Sequence, residues 1–157
     1  MATTILLVRH GEADWNVEGR VQGHADTPLN DTGRAQARAL ADELEAEAFD
    51  AVYASDLARA ADTALLVARR QGLQASLMAE LREKDFGSWE GLTDREVLRR
   101  FPDARRGHWG DGESTDEVAR RVIGALLAIA EAHSGGRVLV VSHGGPLRAV
   151  VGHCSVD

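Results

Sequence analysis

A chain of 157 residues, 44% hydrophobic, suits one domain over residues 1–157 around a single core and is too short for two. Its net charge of −7 is spread along the sequence, which excludes an electrostatic nucleic-acid surface, and no apolar stretch is long enough to span a membrane. A single cysteine, Cys154, excludes an internal disulfide; with an N-terminus lacking the charged and apolar regions of a secretion signal, it sets the expectation of a reducing, cytoplasmic location.

The elements alternate between strand and helix. The apolar run Ile5-Leu6-Leu7-Val8 ends in Arg9-His10-Gly11-Glu12, which predicts a buried strand over residues 4–8 closing at a glycine turn. Residues 15–30 carry Gly19, Gly23 and Pro28 with little periodicity and read as a loop. A helix follows, capped by Asn30 or Thr32, with Ala37, Leu40, Ala41, Leu44 and Ala48 on one face. Residues 49–54 read as a second strand, after which Ser55 or Asp56 caps a helix running to Gly72. Residues 76–81 predict a short third strand. Thr93-Asp94-Arg95-Glu96 is a capping box opening a short helix stopped at Pro102. Ser114-Thr115-Asp116-Glu117 is another, opening a helix with the face Val118, Val122, Leu126, Ile129 and Ala130, ended by Gly135-Gly136. The strand Val138-Leu139-Val140-Val141 leads into Ser142-His143-Gly144-Gly145, and Pro146 starts a last helix. Such alternation predicts an α/β three-layer sandwich, a mostly parallel central sheet with helices on both faces.

Chemistry concentrates at the strand ends. Open α/β sheets bind ligands at the carboxyl ends of their strands, and two strands here deliver a histidine into a glycine turn at that edge. One such tripeptide is weak evidence, but two can bring both imidazoles to one crevice. Arg9 stands beside His10. Arg59 falls in the first turn of the helix after the second strand, where free N–H groups and the helix dipole favour an anion. Taken alone, Arg59 is better read as a solvated surface residue; beside Arg9, His10 and His143 the anion-site reading overtakes it. Two arginines and two imidazoles suit a doubly charged group, most simply a phosphoryl. Neutral imidazole is the best uncharged nucleophile near neutral pH and forms covalent phospho-enzymes. The third strand leads to Leu81-Arg82-Glu83, which makes Glu83 the candidate proton donor, although a lone Glu is more often an exposed salt-bridge partner.

In this order the residues resemble the histidine phosphatase superfamily, also called phosphoglycerate mutase-like, over nearly the whole chain. Arg9-His10-Gly11-Glu12 with Trp15-Asn16 is similar to its nucleophile motif. Gln22-Gly23, Thr27-Pro28-Leu29, Gly33 and Gln36-Ala37 resemble its phosphate loop and first helix, and Ser55-Asp56-Leu57-Ala58-Arg59-Ala60 with Thr63-Ala64 its arginine helix. Leu81-Arg82-Glu83, Phe86-Gly87 and Trp89-Glu90-Gly91 resemble its proton-donor segment, and Gly112-Glu113-Ser114 and Ser142-His143-Gly144-Gly145 complete the set. The resemblance implies a phosphomonoesterase in which His10 becomes phosphohistidine while Arg9, Arg59 and His143 hold the phosphoryl oxygens. Glu83 would protonate the departing oxygen and then activate water. Asn16 would donate a hydrogen bond to the phosphoryl group, with Gln22, Gly23, Thr27 and Gly144 completing the substrate-binding set. The scheme requires no metal or other cofactor, and the sequence has no close metal-ligand spacing and no Walker-type loop. The expected partner is a small phosphorylated metabolite, not nucleic acid or membrane, and a homodimer stays open.

Two departures narrow this reading. After Glu83 the chain reads Lys84-Asp85-Phe86-Gly87, where mutases of the family carry Arg, His and Tyr and a longer insertion that grips phosphoglycerate. A phosphatase is therefore favoured, with a phosphoglycerate mutase as the alternative. The sequence also reaches Asp157 soon after the His143 turn, so Cys154-Ser155-Val156 reads as the stub of a last strand, and a missing or shortened C-terminal edge strand is expected. A non-catalytic phosphate-binding regulatory module is the reading from another class; Glu83 argues against it, since binding alone needs no proton donor. Trp15 and Trp89 read as a mouth for an apolar substrate part, and His108 and Trp109 as a lid or as loop packing. His24 reads as a substrate contact or, equally, as a solvated loop residue, and His133 as a helix-dipole partner.

Overall fold

The computed structural model describes residues 1–104 and 109–154. Its elements run β1 (Thr4–Arg9), α1 (Asp14–Val17), α2 (Asp31–Glu43), β2 (Ala51–Ser55), α3 (Ala58–Arg70), β3 (Ala75–Met78), α4 (Asp94–Arg100), α5 (Thr115–Ala132), β4 (Arg137–Ser142) and α6 (Gly144–Cys154). The four strands form one parallel sheet in the order β1-β4-β2-β3. Side chains alternate across each strand. On one face Leu6, Val8, Val52, Ala54, Leu139 and Val141 meet Ala41 of α2 and Ala60, Ala64 and Val67 of α3. On the other, Ile5, Leu7, Tyr53, Val138 and Val140 meet Ala125 and Ile129 of α5. This is the expected three-layer α/β sandwich, and burial on both faces is why its strands read as continuous apolar runs. Among the described residues no strand lies beyond β1, and no helix is long and apolar enough to cross a membrane.

Strand order positions the chemistry. β1 and β4 are neighbours, and their register pairs Arg9 with Ser142. His10 and His143 each follow a paired residue, so the sheet itself delivers both imidazoles to one carboxyl edge. The turn after β1 is packed backbone to backbone. A Cβ at Gly11 would lie 2.6 Å from the Gly33 carbonyl oxygen, and one at Gly33 would run into the Glu12 carbonyl oxygen. Gly33→Ala is therefore expected to destabilise the fold by about 1–3 kcal/mol through overpacking. Thermal unfolding reads this directly, and an unchanged midpoint would mean that the turn yields freely.

Several boundaries differ from the sequence reading, each for a local reason. A single helical turn, α1, interrupts the expected loop over residues 15–30, because Asn16 Oδ1 accepts from the Ala13 N–H at 2.9 Å. Asn30 caps α2 as expected, but the helix ends at Glu43 and leaves Ala48 exposed beyond it. Glu43, Glu45 and Glu47 are unfavourable at a helix C-terminus. β2 starts at Ala51 because Phe49 is buried beneath Arg137, whose guanidinium lies 5.5 Å from the ring centre. Neither Ser55 nor Asp56 caps α3. The Ala58 N–H donates instead to the Asp26 carboxylate at 2.7 Å, and Asp56 forms a two-bond pair with Arg82. β3 stops at Met78, and a 3-10 turn over Ala79–Leu81 carries the chain on to Glu83. On α5, Ala125 is buried where Leu126 and Ala130 are only half so. Pro146 is the third residue of α6, still within the first turn where its missing N–H costs nothing. Cys154 ends α6 and does not begin a strand, since residues 147–153 hold no breaker stronger than Gly152; residues 155–157 lie outside the described residues.

Candidate active site

His10 stands at the end of β1, 9% exposed, with its Nδ1 2.5 Å from the Gly11 carbonyl oxygen. A carbonyl only accepts, so Nδ1 carries the proton and Nε2 holds the free lone pair. Burial, opposed by the Gly11 hydrogen bond and reinforced by the guanidinium groups of Arg59 and Arg9, lowers the imidazole pKa from 6.5 to about 4. The ring of His143 lies 5.0 Å away, centre to centre, tilted by 58°. His143 is fully buried; its Nε2 meets Ser55 Oγ at 2.8 Å, and its Nδ1 has no hydrogen-bond partner among the described residues. Burial first, then Arg59, push its pKa far below the usual histidine range. A buried polar atom without a protein partner is costly, so His143 Nδ1 is left able to bond a group from outside the protein.

Both imidazoles are thus neutral in the folded protein and titrate near 6.5 when it unfolds. Their contribution to stability is complete above pH 6.5 and is lost as the pH falls through the folded value, about 4 for His10. An NMR titration in anion-free buffer is expected to place the His10 midpoint near pH 4, with His10 alone easing unfolding by about 3 kcal/mol between pH 6.5 and 4. A midpoint near 6.5 would contradict the buried neutral pair.

Arg59, on the first turn of α3, is 1% exposed. Its Nη1 donates to the Ala25 carbonyl at 2.7 Å and to Thr27 Oγ1 at 3.4 Å, and its Nη2 to the Gly23 carbonyl at 2.8 Å. Its Nε has no partner among the described residues. The Thr27 hydroxyl donates in turn to Gln22 Oε1. Gly23 and Thr27, expected around the phosphoryl group, also brace Arg59, and Gln22 supports Thr27. Gly23 has a φ of +55°, and the Glu90 carboxylate occupies the space where a Cβ would lie. Thr63 Oγ1 accepts from the Gly11 N–H at 3.1 Å and donates to the Arg59 carbonyl at 2.7 Å, which ties the His10 turn to α3. Arg9 and Asn16 line a cavity of about 270 Å³ together with His10, Gly11, Glu12 and Gln36.

Glu83 approaches from the other side. Its Oε1 accepts from the Lys84 N–H at 2.7 Å and its Oε2 from the Gly145 N–H at 3.1 Å, so Gly144 and Gly145 bring the start of α6 against it. Arg121 holds the loop that carries Glu83, a role the sequence reading missed. Its five N–H donors meet five acceptors: two on the Glu113 carboxylate at 2.6 and 2.7 Å, and the carbonyls of Glu80, Arg82 and Glu83 at 2.8, 2.7 and 2.7 Å. Glu113 also accepts from the Asp85 N–H at 2.8 Å. No local spacing signals this pair, since Glu113 precedes the Ser114 cap while Arg121 lies on α5 itself. His24 is half-buried and not a solvated loop residue, because its Nε2 donates to the Glu83 carbonyl at 2.9 Å. Trp89 is buried against Phe101 with Trp109 edge-on to it at 4.9 Å, and Trp15 packs on Gly91, so Trp15 and Trp89 form no mouth. His133 ends α5 and meets the Tyr53 hydroxyl at 3.0 Å. His108 lies outside the described residues.

Two neutral imidazoles, a buried guanidinium and a carboxylate thus converge where a parallel sheet presents its strand ends. The chain belongs to the histidine phosphatase superfamily (branch 1), whose family model matches residues 5–155. It is 43% identical to a metal-independent phosphoserine phosphatase of Arabidopsis thaliana, over 94% of this chain and 67% of that one. It is 37% identical to a glucosyl-3-phosphoglycerate phosphatase of Mycobacterium tuberculosis, over 95% and 74% respectively. The solved structure of Bacillus stearothermophilus YhfR superposes with a TM-score of 0.91 at 36% identity, covering 97% of this chain and 79% of that one. Family and relatives together make the chain a phosphoric monoester hydrolase.

Proposed function

We propose that the protein hydrolyses small phosphorylated metabolites through a phosphohistidine on His10, without a metal ion. The observation that carries this is the state of His10, whose Nδ1–H is fixed on the Gly11 carbonyl and whose Nε2 lone pair is free at neutral pH. Nε2 attacks phosphorus as the ester P–O bond breaks, and the bonding pair leaves with the alcohol oxygen, which takes a proton from Glu83. Arg9, Arg59 through its unpartnered Nε and His143 through its unpartnered Nδ1 would stabilise the charge that develops on the phosphoryl oxygens. The amide of Asn16, whose Oδ1 is engaged by Ala13, offers its N–H₂ to the same group. The N–H of Gly144, at the start of α6, adds the positive end of a helix dipole. Glu83 then takes a proton from water, whose oxygen attacks phosphorus, and the N–P bond pair returns to His10. Relatives named for hydrolysing phosphoserine and glucosyl-3-phosphoglycerate support a small organic phosphate ester as substrate.

Among the described residues no three His, Cys, Asp or Glu side chains converge in a way that could hold a metal ion. Hydrolysis of p-nitrophenyl phosphate is expected at an unchanged rate in EDTA. Loss of activity on chelation, restored by a divalent cation, would overturn the metal-free route.

A further inference from the structure

Glu83 lies between the 3-10 turn Ala79–Leu81 and the next one, Gly87–Trp89, in a stretch without helix or strand. No backbone ladder therefore sets the place of its carboxylate, and side chains from elsewhere must. Arg121 of α5 donates to the Glu83 carbonyl at 2.7 Å. His24 Nε2 donates to the same carbonyl at 2.9 Å, from the loop that precedes α2. A carbonyl only accepts, so Nε2 carries a proton whatever the charge of the ring. A second tie joins the two segments. The N–H groups of His24 and Phe86 both donate to Glu90 Oε1, at 2.7 and 3.2 Å. The residues on either side of His24 in this loop serve Arg59, whose guanidinium donates to the carbonyls of Gly23 and Ala25. The path of the chain is fixed here, since Gly23 has a φ of +55° and the Glu90 carboxylate fills the space of a Cβ. His24 thus stands between two acceptors of the Arg59 guanidinium with its ring on the backbone of the proton donor.

We propose that His24 is a positioning residue for Glu83: it holds the donor at a set place relative to Arg59, and so acts on the departing oxygen without touching substrate. The proposal rests on the phosphatase reading with Glu83 as donor. A general acid helps only within hydrogen-bond reach of the leaving oxygen, and the anion clamp decides where that oxygen lies. Donor and clamp therefore need a common frame, because a misplacement of about 1 Å can cost roughly 10²-fold.

Phenyl phosphate and p-nitrophenyl phosphate share an aryl ring and differ chiefly in the basicity of the departing phenolate, which makes their ratio a measure of proton donation. kcat/KM reports the first half-reaction, in which the phenol leaves. His24→Leu keeps the bulk and loses the donor. In this variant the phenyl to p-nitrophenyl ratio of kcat/KM is expected to fall about three- to tenfold, the range set by one hydrogen bond. His24→Gln places an amide N–H where Nε2 stood and is expected to restore the wild-type ratio. In a Glu83→Gln background His24→Leu should lower the ratio no further, since the coupling runs through Glu83. Should His24→Leu protein not fold, His24→Asn, whose shorter amide falls short of the carbonyl, takes its place. An equal loss on both esters would mean that His24 serves only the Arg59 brace or the fold. That result, an unchanged ratio in His24→Leu, or an undiminished further fall in the Glu83→Gln background would overturn the proposal. A ratio that Glu83→Gln itself leaves unchanged overturns the donor reading, and absent hydrolysis of both esters by the wild type overturns the phosphatase reading; the proposal falls with either.

Discussion

Replacing His10 by alanine is expected to abolish turnover of every phosphate ester, a loss on the order of 10⁴–10⁶-fold, the scale at which removing a covalent nucleophile acts in other enzymes. No neighbour can substitute. His143 is fully buried with its Nε2 engaged by Ser55, and Arg9 and Arg59 hold no lone pair at neutral pH. The variant keeps the backbone bond from residue 10 to the Ser142 carbonyl, 3.0 Å in the wild type, so the β1–β4 edge stays formed. Circular dichroism is expected to match the wild type while p-nitrophenyl phosphate goes unhydrolysed. A tenth or more of the original rate in folded His10→Ala protein would remove His10 from the chemistry.

Glu83→Gln should separate substrates by their leaving groups. An alkoxide is a strong base and needs a proton as its bond to phosphorus breaks, whereas nitrophenolate departs readily without one. Alkyl phosphate hydrolysis is therefore expected to fall by about 10²–10⁴-fold, the range of general acid catalysis, while phosphoryl transfer from p-nitrophenyl phosphate persists. The second half-reaction uses the same carboxylate as base, so the aryl substrate should give a burst of nitrophenol followed by slow turnover. Arg121 holds the loop through backbone carbonyls and through Glu113, none of which the substitution touches. A stopped-flow trace reads the burst. Equal loss on both substrates with no burst would take the donor role from Glu83 and pass it to Glu12, which lines the His10 cavity.

What was legible in the sequence is what depends on neighbours along the chain. Four-residue aliphatic runs mark β1 and β4 because both faces of the sheet are covered. The boxes Thr93–Glu96 and Ser114–Glu117 mark helix starts because each closes its bonds within three positions. Two histidines, each at a strand end before glycine, marked the site before any strand order was known. The order β1-β4-β2-β3 was not legible, since nothing in a strand's own residues names its neighbour. Nor was the cap of α3, which comes from Asp26 across 32 positions, in place of the adjacent Ser55 or Asp56. Arg121 reads locally as one more polar residue of α5, and its role exists only where the Glu83 loop passes beside it. Gln22, Gly23 and Thr27 illustrate a subtler gap. The family pattern groups them with the phosphoryl site, but only the three-dimensional hydrogen bonds show that Gly23 and Thr27 also hold the Arg59 guanidinium, with Gln22 behind Thr27.

The covalent route is tested most directly by finding where the phosphoryl group rests. Glu83→Gln protein mixed with p-nitrophenyl phosphate should accumulate the phospho-enzyme, because the second half-reaction is slowed. Quenching in alkali preserves an N–P bond, and peptide mass spectrometry then locates it. The phosphoryl group is expected on the peptide carrying His10. Recovery on His143 instead, or an unmodified protein during a nitrophenol burst, would contradict nucleophilic attack by His10.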